Sequence, residues 1–127
     1  MLKVRSIDHL NFLVSNLEET KDFYQNIFGF KLLEEGRNMS GNPYIIIGIS
    51  GNLALCLSET DDFKGTGDFY HYGLNIENFD EVIELLDKHD VPYQYGGPVQ
   101  YDSSRSVYIN DPSGHEIELS EVVVGGL

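Results

Sequence analysis

Two histidines, His9 and His71, stand 62 positions apart, and each opens a run in which polar and apolar residues alternate. Glu118 lies at the same offset from Cys56. Alternation puts successive side chains on opposite faces of a strand. If Leu10, Phe12 and Val14 cover a helix, His9 and Asn11 point away from it. The same rule sends Tyr72, Leu74, Ile76, Ile117 and Leu119 inward, and His71, Gly73, Asn75 and Glu118 outward. The outward face thus collects His9, Asn11, Cys56, Ser58, His71, Asn75, Ser106, Tyr108 and Glu118. Two imidazoles and one carboxylate form a facial ligand set with open positions, suited to Fe(II), Mn(II), Ni(II), Zn(II) or Co(II). An ion held by His9, His71 and Glu118 would polarise a substrate oxygen or lower the pKa of bound water. Cys56 either joins as a thiolate or lines the wall, and the wall is the favoured role. Tyr108 is the candidate acid, base or hydrogen-bond donor. Arg105, the only basic residue of residues 96–105, is a candidate anion contact. His89, at a helix end, and His115, in a turn, are expected at the surface.

These positions are set by an internal repeat, the feature that fixes the architecture. From His9 to Glu19 the chain aligns without a gap on His71 to Glu81, so Asn16 meets Asn78. Leu55, Leu57, Ser58 and Glu59 meet Ile117, Leu119, Ser120 and Glu121. Each half reads as a strand, a helix begun by Asn-x-x-Glu, and three more strands. The first helix ends at Gly29, as a left-handed cap requires, and the second ends before Pro92. The remaining strands are expected at residues 30–33, 44–48 and 53–58, then 93–95, 106–110 and 116–122. Placing Val107 and Ile109 on the face of Ile117 and Leu119 requires Asn110 opposite Glu116 and Tyr108 opposite Glu118, because a one-residue slip reverses every side chain. The first half then sets Ile46 opposite Cys56. The expected fold is α+β: two tandem βαβββ modules, about residues 5–58 and 68–122 of one domain, curling a mixed sheet around a metal cavity. Residues 59–68 read as the linker and residues 125–127 as a tail. Loops 35–42 and 96–105 precede equivalent strands and suit substrate contacts.

Composition narrows the function classes. The chain of 127 residues is 41% hydrophobic, with seven Phe and eight Tyr, which argues against disorder. Eight Lys and Arg against 21 Asp and Glu give a net charge of −13, a field that repels nucleic acid and anionic membranes. One cysteine excludes an internal disulfide and a multi-cysteine zinc site. No apolar run has the length of a membrane span, and residues 1–5 are too short and polar for a signal peptide. A cytoplasmic protein acting on a small molecule is expected.

The opening Ile7-Asp-His9-Leu, the Phe23-Tyr24-Gln-Asn-Ile-Phe-Gly29-Phe30 helix end and the Asp111-Pro-Ser-Gly-His-Glu-Ile-Glu118-Leu close resemble the vicinal oxygen chelate superfamily, which includes glyoxalase I, fosfomycin-resistance proteins, extradiol dioxygenases, methylmalonyl-CoA epimerase and bleomycin-resistance proteins. The resemblance spans nearly the whole chain. It implies paired βαβββ modules, a metal in the cavity and a homodimer. Leu53-Ala-Leu-Cys-Leu-Ser-Glu59, Tyr70-His71-Tyr72 and Arg105-Ser-Val-Tyr108 are most similar to the fosfomycin-resistance group. That likeness implies metal ligands at His9, His71 and Glu118 and substrate contacts at Ser106 and Tyr108. Glyoxalase I has a Glu at the position of Cys56. Residues 96–104 hold no Lys or Arg with which to trap a phosphonate.

Three functions of different class are therefore expected to compete. The first is a metal-dependent transferase or lyase that polarises an oxygen of a small substrate, with Asn11, Cys56, Ser58, Asn75, Arg105 and Ser106 as substrate contacts and Tyr108 catalytic. The second is an Fe(II) extradiol-type dioxygenase. The third is a metal-free drug-binding protein of the bleomycin-resistance type. The His9, His71 and Glu118 set favours the first two, and the lack of a further cavity-facing His favours the first.

Overall fold

A computed structural model describes residues 1–123 and divides the chain into two compact units between Phe63 and Lys64, inside the expected linker. The first unit contains β1 (Leu10–Val14), α1 (Leu17–Phe28), β2 (Lys31–Arg37), β3 (Pro43–Ile49) and β4 (Leu53–Glu59). The second contains β5 (Tyr72–Asn75), α2 (Phe79–Lys88), β6 (Val99–Gln100), β7 (Arg105–Asn110) and β8 (Glu116–Ser120). Each unit is βαβββ with one four-stranded mixed sheet, in the orders β1-β4-β3-β2 and β5-β8-β7-β6. The α+β class and the two modules are as expected.

The repeat holds at the level of individual pairings. Leu10 faces Leu55 in the parallel pair of the first unit, and Tyr72 faces Ile117 in the second. Ile46 faces Cys56, and Tyr108 faces Glu118. Asn110 lies opposite Glu116. Burial explains why no other pairing competes. Ile45, Ile47, Leu55 and Leu57 are buried on one face of the first sheet, and Val107, Ile109, Ile117 and Leu119 on one face of the second.

Local chemistry sets the ends of α1. Asn16 Oδ1 accepts from the Glu19 amide at 2.9 Å, and the Leu17 amide donates to Glu59 Oε2 at 2.7 Å. Each bond satisfies a donor that the helix cannot. Gly29, at φ 65°, closes the helix: its amide donates to Gln25 O and that of Phe30 to Tyr24 O. The Gly29 bond, reaching back four residues, is that of a left-handed helix end, and Tyr24 stacks on Phe30 across it at 5.9 Å.

Three expectations are corrected. Asn78 does not repeat the cap of Asn16: it lies in the left-handed region at φ 55°, and its side chain makes no cap bond. Residues 93–95 are not a strand, because Tyr95 at φ 56° and the following Gly96 and Gly97 turn the chain away. Only the Gln94 amide reaches β7, at Tyr108 O, and pairing begins at the two-residue β6. His115 is buried, because Asp111 Oδ1 accepts from the amides of Ser113 and His115 and folds that turn inward. His89 is exposed as expected. The expected tail, residues 125–127, lies outside the described residues.

Candidate metal centre

The second unit carries most of the candidate site. His71 immediately precedes β5, the strand parallel to β8, and Glu118 lies at the middle of β8. His71 Nε2 stands 3.0 Å from Glu118 Oε2. The other Glu118 oxygen, Oε1, accepts from Ser106 Oγ at 2.9 Å. Ser106 is buried and belongs to β7, so the hydroxyl is fixed by the sheet itself. The result is a carboxylate with one oxygen held by the scaffold and the other turned to an imidazole.

Tyr108 is nearly buried beside this pair, with its ring 5.8 Å from that of His71. Its hydroxyl meets that of Tyr101 at 2.7 Å. Burial, then the Tyr101 hydrogen bond and the nearby Glu118 charge, push the Tyr108 phenol far above its ordinary value. Tyr108 is therefore a proton-bearing donor at neutral pH and a poor base. Tyr95 packs edge-on against Tyr108 at 5.2 Å and donates to Glu116, which raises its phenol to about 12. A recess of about 500 Å³, lined in part by Asp68, Tyr70, Gln94, Tyr95, Asn110 and Glu116, lies beyond Tyr95 and Glu116, and His71, Tyr108 and Glu118 do not line it.

The structure separates two expected contacts from this group. Arg105 belongs to the opposite face of β7. Its guanidinium bonds Glu121 Oε1 at 2.7 Å and Asp80 Oδ1 at 2.9 Å, and lies 4.5 Å over the Phe79 ring. Those carboxylates hold Arg105 above its ordinary value and satisfy its charge, so it offers no anion site on the face of Ser106 and Tyr108. The Asn75 amide donates to the carbonyls of Ser120 and Glu121, a role in holding β5 to the end of β8.

The first unit presents the remaining candidates. His9 is partly exposed, and its Nδ1 meets Asp8 Oδ2 at 2.6 Å. Asn11 is exposed and lies opposite Cys56 in the parallel pair. Ser58 is half-buried opposite Tyr44. Burial, with the charges of Asp8 and Glu34, pushes the Cys56 thiol up, so without a metal it stays protonated. A protonated, half-buried thiol suits a wall.

An imidazole and a carboxylate 3.0 Å apart are donors of the kind that suit a divalent ion, and His71 and Glu118 would help to hold one. Among the described residues no three His, Cys, Asp or Glu side chains are gathered as a ready cluster. Sequence reasoning missed Glu116, Tyr95 and Tyr101. Glu116 was open to it, since a residue two before Glu118 on one strand shares its face.

A family model described as "Glyoxalase/Bleomycin resistance protein/Dioxygenase superfamily" matches residues 6–119. The Metallothiol transferase FosB of Lysinibacillus sphaericus is 32% identical over 123 residues, 93% of this chain and 83% of that protein. The manganese-dependent 2,3-dihydroxybiphenyl 1,2-dioxygenase of Geobacillus genomosp. 3 is 28% identical over 124 residues, but the match spans 39% of that protein. Among solved structures, the fosfomycin resistance protein FosX of Listeria monocytogenes superposes with a TM-score of 0.75 at 25% identity, covering 92% of this chain and 93% of that one.

Proposed function

The chain belongs to the Glyoxalase/Bleomycin resistance protein/Dioxygenase superfamily, and from that premise we propose that His9, His71 and Glu118 bind one divalent metal ion and that Tyr108 donates to the substrate. The chain is a divalent-metal-dependent enzyme of the vicinal oxygen chelate type, of the fosfomycin-resistance-like kind. The observation that carries the assignment of the ligands is the His71–Glu118 contact at 3.0 Å, with the second carboxylate oxygen held by Ser106. His9 is the third ligand by its place in the repeat.

When bound, the ion supplies a Lewis acid for an oxygen of the substrate. Ser106 keeps Glu118 oriented, which lowers the cost of assembling the ligands. Tyr108, protonated and held by Tyr101, donates a hydrogen bond to the oxygen on which charge develops. The reaction that fits is thiol transfer to a small epoxide-like molecule: a C–S bond forms as a C–O bond breaks, and the thiol proton ends on the released oxygen. Cys56 and Ser58 serve as wall, with Asn11 as a polar contact. The enzyme is read as a cytoplasmic homodimer, a reading supported by the exposed apolar side chains Leu32 and Leu33 on the first unit. No described helix is long and apolar enough to cross a membrane.

Elemental analysis of protein purified without added metal, beside His71→Ala, tests the centre. Mn, Ni or Zn lost in the variant, with thiol transfer to epoxides restored by Mn(II), supports the reading. Bound Fe with oxygen consumption on catechols would favour a dioxygenase. Absence of metal from both proteins, with none taken up on reconstitution, would remove the ligand set.

A further inference from the structure

His71 Nδ1 is shielded from solvent and makes no hydrogen bond. Glu116 Oε2 stands 3.3 Å from it, within ion-pair range but not aligned as a hydrogen bond. The other Glu116 oxygen accepts from the Tyr95 hydroxyl. The Glu116 side chain is only 12% exposed. A carboxylate nearly withdrawn from water, tied at one oxygen and aimed at an imidazole nitrogen with the other, has no role in packing the apolar face. His71 lies between two such groups, Glu116 at Nδ1 and Glu118 at Nε2.

We propose that Glu116 is the positioning residue of the metal centre: it accepts the Nδ1 proton of His71 and so commits Nε2 to the ion. This inference rests on the reading of His71 and Glu118 as ligands. A neutral imidazole carries one proton, and only the nitrogen without it can ligate. The hydrogen bond made by the second nitrogen decides which. With no acceptor at Nδ1, the proton would pass to Nε2, where Glu118 attracts it and the ion would have to displace it. Glu116 removes that competition, and its charge makes the imidazole a stronger donor to the metal. Tyr95 completes the chain. Its hydroxyl fixes Glu116, and its left-handed backbone at φ 56° turns the chain there. Glu116 is not itself a ligand, because it meets the ring nitrogen that faces away from Glu118.

The test is Mn(II) affinity, read from the free-ion electron paramagnetic resonance signal, for the wild type, Glu116→Leu, Glu116→Gln, Tyr95→Phe and His71→Ala. It is paired with the His71 Nδ1 proton resonance of zinc-loaded, ¹⁵N-labelled protein. Glu116→Leu is expected to lose roughly 10–100-fold in affinity, the range for outer-shell partners of ligating histidines. Glu116→Gln keeps an acceptor but not the charge and should lose clearly less than Glu116→Leu, with the Nδ1 resonance present there and absent in Glu116→Leu. Tyr95→Phe should fall between. Wild-type affinity in Glu116→Leu would overturn the proposal. So would equal losses in Gln and Leu, which would make Glu116 a ligand. If Glu116→Leu does not fold, Glu116→Gln and Tyr95→Phe decide by the same two readouts. His71→Ala separates the two levels: unchanged binding there refutes the metal ligands themselves, whereas binding lost there but kept in Glu116→Leu refutes only the role of Glu116.

Discussion

Ser106 and Glu118 are joined diagonally across β7 and β8: Ser106 pairs with Ser120 and Glu118 with Tyr108, yet the Ser106 hydroxyl reaches Glu118 Oε1 at 2.9 Å. The diagonal matters because Tyr108 occupies the place directly opposite. One strand thereby supplies both the group that orients the carboxylate and the group that donates to the substrate. Ser106→Ala is expected to cost about 1 kcal/mol in stability, the net worth of one hydrogen bond. It should weaken Mn(II) binding by roughly tenfold, the low end for outer-shell groups. A urea titration and a metal titration on the same variant check the pair of values. A loss of stability with unchanged affinity would deny Ser106 its part in the centre.

Arg105 makes the second module sensitive to acid. The Glu121 carboxyl, hydrogen-bonded by Arg105, is held below its ordinary value in the folded protein. A lowered folded-state value means that its contribution to stability is present at neutral pH and is lost as pH falls through the carboxylate range. Arg105→Gln should therefore flatten the urea midpoint between neutral pH and acid, and added salt should do the same to the wild type because the pair is exposed. An unaltered pH slope in the variant would contradict the assignment.

Cys56 should react slowly. Its thiol is pushed above the ordinary value by burial first and by Asp8 and Glu34 second, so the thiolate fraction at neutral pH is small. Alkylation of metal-free protein by iodoacetamide is expected to lag behind a free thiol and to quicken as pH rises. Glu34→Gln should speed the reaction modestly. A rate at pH 7 equal to that of a free thiol would show the environment to be other than described.

Gly48 is the glycine whose replacement should cost most. It lies opposite Ala54 at φ 154°, and a Cβ there would come within 2.0 Å of the Leu53 carbonyl oxygen, a backbone atom that cannot yield. Gly51, at φ 74° in the next turn, has nothing within 4 Å of such a Cβ. Gly51→Ala should cost about 1 kcal/mol for its left-handed backbone, whereas Gly48→Ala adds a collision and should cost several times as much. Urea unfolding of both variants measures the difference.

What was legible in the sequence was whatever a period or an offset could encode. Alternation fixed the inward faces, and one register followed for β7 against β8 because any other would expose Val107 and Ile109. The 62-residue offset located His71 and Glu118, which the fold brings to 3.0 Å. Backbone conformation was not encoded in that way. Asn16 and Asn78 are the same residue at equivalent positions, but one is extended and caps its helix while the other is left-handed and does not. Tyr95 and the two glycines after it removed a strand that residue type alone supports. Arg105 shares a strand face with Val107, not with Ser106, a parity that its place in the alternation of β7 already encodes.

The edge strand β2 has every residue exposed, carries Lys31, Glu34, Glu35 and Arg37, and shifts its pairing between Leu32 and Glu34. A straight apolar edge would offer a row of free amides and carbonyls on which another chain could build a strand. Charge and a bulge spoil that template. Crowding the protein to high concentration should therefore not seed fibrils from this edge, although residues 44–47 of β3 beside it, a Tyr and three isoleucines without charge, have high strand propensity. The seven residues of β2 act as a guard for the apolar strand beside it.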